Sequence, residues 1–258
     1  AVDPAFTRSI FDTQWGWDMV DNDALADDDE FPNGSFSHGT HVGSTISMLN
    51  DGLDGNGMAA RVTPIRVCAG GCPGSATYGA YLYLNGDAND SLTTFAQRSA
   101  GQKLHSVNMS YGGSGGSATS ASCVKLGELA DRGVLIASSS GNSGVGSVGW
   151  PSSCPKVYSV GATNGTDRRS SYSSTNEYVA FSAPGGEYSD WNADGIDDLV
   201  YAYARDNSYV QSNNNGNPMI GAQGTSMASP HGAGFLGLIK YYYEDIVKPF
   251  ESNTTLPS

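Results

Sequence analysis

Positive charge is scarce in this 258-residue chain: 13 Lys and Arg stand against 26 Asp and Glu, a formal net charge of −13. So acidic a balance disfavours attraction to nucleic-acid phosphates or an anionic membrane surface, and neither is expected as a partner. Long hydrophobic runs are absent too, with no stretch approaching the ~20 apolar residues of a membrane span. No signal-peptide pattern opens the chain, so a secreted form is expected to have been processed already. Repeats, low-complexity segments and linker-like stretches are lacking. A single domain over 1–258 is expected, its 38% hydrophobic residues sufficing for one sizeable core. Cysteines number four, and the C-x3-C spacing of Cys68 and Cys72 matches no common zinc site. Four cysteines permit three pairings. Cys68–Cys72 with Cys123–Cys154, in an oxidising extracytoplasmic compartment, is the expected one; four buried thiols in a cytosolic protein is the other reading.

What the chain has in abundance is glycine, at 34 residues, with Ser and Asn also frequent, which suits loops and closely packed backbone. Apolar runs at 61–68, 104–113, 133–142 and 156–163 read as short strands. Residues 77–90 and 122–133 read as helices, the second stopping at Gly133. Strands alternating with helices imply βαβ units, an α/β fold and a mostly parallel central sheet. Negative charge concentrates in Asp18 to Glu30 and Asp190 to Asp198. Each cluster is either a solvated acidic face or a cation site.

The stretch GTSMASPHGAG (224–234) sets Ser226 at the start of a helical pattern and surrounds it with small residues. A serine there has backbone N–H groups and the positive end of the helix dipole beside it, favourable for an oxyanion, but its hydroxyl needs a base. SFSHGTHVGSTISML (35–49) puts His38 and His41 three apart. They could ligate a metal, although no third ligand is evident; a neutral imidazole at a helix start is better suited to take a proton near pH 7.

SHGTHV, NMSYGG, ASSSGN and GTSMASPHGAG, in that order, resemble the subtilisin-like serine proteases (subtilases, peptidase family S8) over nearly the whole chain. The resemblance implies a three-layer α/β fold and a secreted, extracellular, monomeric endopeptidase that matures with a propeptide and takes polypeptide substrates. It makes His38 the general base, Ser226 the nucleophile and Asn142 the oxyanion donor. The triad aspartate departs from pattern. Asp3, 35 residues before His38, is followed by Pro4-Ala5 in place of the usual Thr/Ser-Gly; Asp12 in IFDTQ is the rival. Asp3 is assigned to orient His38, and Asp12, nine residues later, to a structural calcium. Relative to the family pattern the chain is shortened at both ends. Gly43-Ser44 and Gly232 are further departures, small-for-small or loosened packing.

By the same resemblance Ser110, Tyr111, Gly112 and Gly113 form one wall of the P1 pocket, Ser139, Ser140 and Gly141 another, and Gly149 its floor. Glycines there and the lack of an acidic residue imply large apolar or aromatic P1 side chains, held by a substrate that adds as a strand. DWNADGIDD (190–198) fits the first half of an EF-hand-like loop: Asp190, Asn192, Asp194, the Ile196 carbonyl and Asp198 would hold Ca2+, with Tyr201 where the closing Glu would stand. A second Ca2+ site is expected from Asp12, Asp51 and the carbonyls of Leu49 and Leu53. Two other classes compete: a catalytically inactive binding domain of the same fold, and a calcium-dependent adhesion module resting on 190–198 alone.

Overall fold

Short β-rich runs that are apolar throughout, rather than alternating, require cover on both faces. The computed structural model of the chain describes residues 11–26, 37–48, 56–58, 60–87, 103–113, 117–144, 146, 148–175, 177–204, 211–212 and 218–248. In chain order its elements are β1 (Trp17–Asp18), α1 (His38–Ser47), β2 (Ile65–Arg66), α2 (Gly74–Asn85), β3 (Ser106–Met109), α3 (Ala121–Asp131), β4 (Leu135–Ser139), β5 (Val157–Thr163), β6 (Val179–Pro184), β7 (Val200–Tyr203), β8 (Gln211–Ser212), β9 (Pro218–Ala222) and α4 (Thr225–Tyr241). A π-helical turn, Tyr242–Val247, prolongs α4.

The central sheet runs β3-β4-β5-β6, all parallel. Successive residues of β4 point to opposite faces. Ile136 packs with Tyr81, Met109, Leu126 and Leu129 on the side of α2 and α3, whereas Ala137 packs with Ile46, Val160, Ala228 and Ala233 on the side of α1 and α4. The result is three layers, helices on each face of a parallel sheet. The second interface is built of small residues because α4 lies very close to the strands. A Cβ on Gly232 would stand 2.9 Å from Phe181 Cε2 and 3.1 Å from Val160 Cγ2.

Boundaries shift for identifiable reasons. The helix expected over 77–90 begins at Gly74 and ends at Asn85, because Gly86 turns left-handed (φ 77°) and its N–H reaches the carbonyls of Leu82 and Tyr83. The strand expected over 61–68 contracts to Ile65–Arg66, paired with β1, plus a single bridge from Val62 to Phe11. Both expected disulfides are present, Cys68–Cys72 and Cys123–Cys154, the second tying the first turn of α3 to the β4–β5 connection. The antiparallel trio β7-β9-β8 was not anticipated; β9 leads into α4. No helix among the described residues is long and apolar enough to cross a membrane.

Candidate active site

Ser226 is the second residue of α4, immediately after the N-cap Gly224 and Thr225. Gly224 has φ 150°, a backbone conformation that L side chains rarely adopt, and its carbonyl accepts the N–H groups of Met227 (3.0 Å) and Ala228 (3.3 Å). The Ser226 hydroxyl donates to the Ser110 carbonyl at 3.2 Å, and Ser110 Oγ returns a bond to the Ser226 carbonyl at 2.8 Å.

Asn142 comes to the same place from the loop after β4. Its Oδ1 accepts from Thr225 N and from Thr225 Oγ1, both at 2.9 Å, while Thr225 Oγ1 accepts from Gly141 N at 3.1 Å. An N–H can only donate, so the carboxamide oxygen is identified and the NH2 must face the other way. That NH2 and the Ser226 N–H flank one spot: a Cβ on Gly224 would lie 3.5 Å from Asn142 Nδ2 and 3.6 Å from Ser226 N. Two N–H donors within 3.6 Å of one point, one of them the backbone N–H of Ser226, suit the oxyanion of an acyl transfer.

The two histidines of HGTH part company. His38 opens α1 and is exposed. His41, one turn on, is fully buried, with Nε2 3.1 Å from the Val200 carbonyl and 3.0 Å from the Ile220 carbonyl. Both partners are acceptors, so Nε2 carries the proton. Burial first, then the nearby His38 and His231, lowers its pKa to about 4 against the pull of the two carbonyls. His41 is a neutral strut between α1 and the β7/β9 pair, its Nε2 committed to two backbone carbonyls.

The expected pocket segments are neighbours. Parallel pairing aligns Met109 with Ser138, so Ser110 and Ser139 leave adjacent strands together. Gly113 N donates to the Trp150 carbonyl at 2.9 Å, and a Cβ on Gly112 would stand 2.9 Å from that same oxygen, which brings 110–113 alongside Gly149-Trp150. Ser140 is anchored through Oγ to the Ser174 carbonyl at 2.9 Å. Tyr111 turns inward: its hydroxyl meets that of Tyr81 at 2.9 Å and its ring packs near Trp150, with burial holding the phenol well above its usual pKa. Its backbone, rather than its ring, is therefore what the wall can offer.

Asp3 lies outside the described residues, as do Leu49, Asp51 and Leu53. The Asp12 carboxylate accepts from Arg61 Nη1 at 3.0 Å, and its N–H bonds the Val62 carbonyl at 2.7 Å. In the first acidic cluster Asp18 is buried rather than solvated, its Oδ2 2.6 Å from Arg66, which also meets Asp21 at 2.7 Å. In the loop 190–198 the Asp190 oxygens accept Asp194 N (3.0 Å) and Gly195 N (2.8 Å), Asp194 Oδ1 accepts Ile196 N (2.9 Å), and Asp198 Oδ2 accepts Trp191 N (2.8 Å). No group of three or more His, Cys, Asp or Glu close enough to hold a metal occurs among the described residues. Sequence reasoning missed the part Thr225 plays in holding Asn142; the two are 83 residues apart, and no local pattern joins them.

The model of the subtilase family matches residues 2–256. Alkaline elastase YaB from Bacillus sp. (strain YaB) is 33% identical over 203 residues, covering 79% of this chain and 44% of that protein. Subtilisin Savinase from Lederbergia lenta is 31% identical over 206 residues, covering 79% of this chain and 62% of that protein. The chain thus spans less than two thirds of the length of these curated relatives. Among solved structures, a cold-adapted subtilisin-like serine proteinase aligns with a TM-score of 0.65 at 26% identity, covering 95% of this chain and 71% of that one.

Proposed function

The chain belongs to the subtilase family and has its α/β fold, and from that premise we propose that it is a secreted, calcium-stabilised serine endopeptidase of one domain. Ser226 attacks the scissile carbonyl, His38 takes its proton and returns it to the leaving amine, Asp3 orients His38, and the Asn142 NH2 and Ser226 N–H receive the oxyanion. The observation that carries the reading is the fixed Asn142 carboxamide: Thr225 claims its oxygen twice, which leaves its NH2 as the donor, and Nδ2 lies with Ser226 N within 3.6 Å of one point. A binding domain has no need of that arrangement.

Large apolar or aromatic P1 side chains are preferred. The supporting facts are the glycines at 112, 113 and 149 and the absence of any acidic residue in 110–113, 139–141 and 148–150. Ca2+ binds Asp190, Asn192, Asp194, the Ile196 carbonyl and Asp198. These are hard oxygen donors suited to that ion, Gly195 (φ 89°) makes the required sharp turn, and each carboxylate oxygen keeps a lone pair beyond the amide it already accepts.

The test is the mass shift on treatment with an organophosphate or sulfonyl fluoride, run beside Ser226→Ala and a peptide substrate with Phe at P1. One adduct on Ser226, with hydrolysis lost in the variant, is the expected result. An unlabelled, folded, calcium-loaded protein would mean a non-catalytic binding domain.

A further inference from the structure

On the reading just given, we infer that Asn108, with Ser229, is a positioning residue for the nucleophile, setting the height of Ser226 along β3. Strand alternation sends Val107 and Met109 into the core on the α2/α3 side and leaves Ser106, Asn108 and Ser110 for α4. All three bond it. Ser106 Oγ donates to the Ala233 carbonyl at 2.8 Å, Asn108 Oδ1 accepts from Ser229 Oγ at 2.6 Å, and Ser110 Oγ donates to the Ser226 carbonyl at 2.8 Å. The helix partners, 233, 229 and 226, run antiparallel to the strand residues. Steps of four and three residues along a helix, about 6 and 4.5 Å, nearly match the roughly 6.6 Å between alternate strand residues.

Asn108 joins the two rungs nearest Ser226 into one network, leaving the Ser106 rung separate. Its Nδ2 donates to Ser110 Oγ at 2.9 Å. Ser110, already donating to the Ser226 carbonyl, can only accept there, so Nδ2 must face it and Oδ1 must face Ser229. The donors therefore run in one direction from Ser229 to Asn108 to Ser110 to the carbonyl of Ser226. That last bond answers a local deficit. Residue 230 should supply the helical N–H to the Ser226 carbonyl, but Pro230 has none. The helix gives up that bond one turn above the nucleophile, and β3 replaces it through a hydroxyl whose orientation Asn108 dictates. The residues that α4 itself packs against the sheet include Ala228, Gly232 and Ala233, whose small size resists sliding weakly; directional bonds to a strand set the register that the oxyanion site needs.

The experiment compares Asn108→Ala, the milder Ser229→Ala, the double variant, and Ser106→Ala, which removes the same kind of strand-to-helix bond two turns from the nucleophile. Thermal midpoint, kcat, KM and the rate of Ser226 labelling by a sulfonyl fluoride are measured on each, well below its midpoint. Misplacing a reacting atom by an ångström can lower rate about 100-fold. Asn108→Ala is expected to lose about 10- to 100-fold in kcat and labelling rate with KM within about twofold, and Ser229→Ala about 10-fold. The double variant should fall no further than Asn108→Ala, since one chain is broken once. Ser106→Ala should lower the midpoint and leave kcat alone. If Asn108→Ala and Ser229→Ala lower the midpoint but keep wild-type kcat and labelling, the positioning role is overturned and the peptidase reading stands. If wild type itself neither labels nor hydrolyses, both fall.

Discussion

Thr225 grips Asn142 with both its N–H and its hydroxyl, so the valine isostere tests the grip without changing shape. Thr225→Val leaves the amide bond and removes both hydroxyl bonds, the one given to Asn142 Oδ1 and the one accepted from Gly141 N, each worth about 1 kcal/mol net. A fall in kcat of about tenfold is expected, with KM little changed. Asn142→Ala should lose more, about 10²–10³-fold, the range measured in subtilisin itself for loss of one oxyanion donor. Gly224→Ala tests the space between the donors. The φ of 150° is unfavourable for alanine, and its methyl would occupy the spot flanked by Asn142 Nδ2 and Ser226 N. Activity against the Phe peptide should be almost abolished and the thermal midpoint lowered. His41 supplies a pH signature. Its pKa is about 6.5 unfolded and about 4 folded, so between those values the unfolded chain binds more protons. The stabilisation is fully present above pH 6.5 and disappears as pH falls toward 4, of the order of 3 kcal/mol in all. Denaturant unfolding at pH 7, 5.5 and 4 should show the loss, and His41→Gln should flatten that part of the profile.

The two disulfides differ at the level of elements. Cys123–Cys154 closes a separation of 31 residues and joins α3 to the β4–β5 connection; Cys68–Cys72 closes only 4. Chain-entropy reasoning gives about 4 kcal/mol for the first and about 2 for the second. Cys123→Ala/Cys154→Ala should therefore lower the denaturant midpoint more than Cys68→Ala/Cys72→Ala, and equal losses would argue that native-state strain or residual structure dominates. Elements also explain what could be read in advance. β4, β5, α3, His38 at a helix start and Ser226 on α4 announce themselves through local signals: apolar runs, a glycine stop, a small-residue helix. The β7-β9-β8 sheet carried no such signal. Nor did the bonds that tune the site, because Ser229 and Asn108 lie 121 residues apart and Arg66 and Asp18 lie 48 apart. Asp18 in particular reads as part of an acidic run, either a solvated face or a cation site, until the fold delivers Arg66 to it.

Across the whole molecule a net charge of −13 means that the folded chain repels itself, and the loop 190–198 concentrates that repulsion. The loop is also tied to the nucleophile helix. Glu187 N bonds the Asp198 carbonyl at 2.9 Å, Tyr188 N bonds Gln223 Oε1 at 2.7 Å, and Gly224 N bonds the Gly185 carbonyl at 2.9 Å. Calcium bound there would neutralise carboxylates that the fold otherwise holds together, and binding to the native state alone would add about 2.7 kcal/mol at a free concentration of 100 Kd. Chelation should lower the thermal midpoint of wild type. Asp190→Asn/Asp194→Asn should respond less to chelator than wild type, the site expected at Asp12 and Asp51 being untouched, and with two fewer like charges it should lose less in midpoint when calcium is removed. High monovalent salt separates screening from binding. If salt restores all that chelation removes, the loop is an acidic turn and general repulsion explains the effect; if salt restores only part, the remainder belongs to a bound cation.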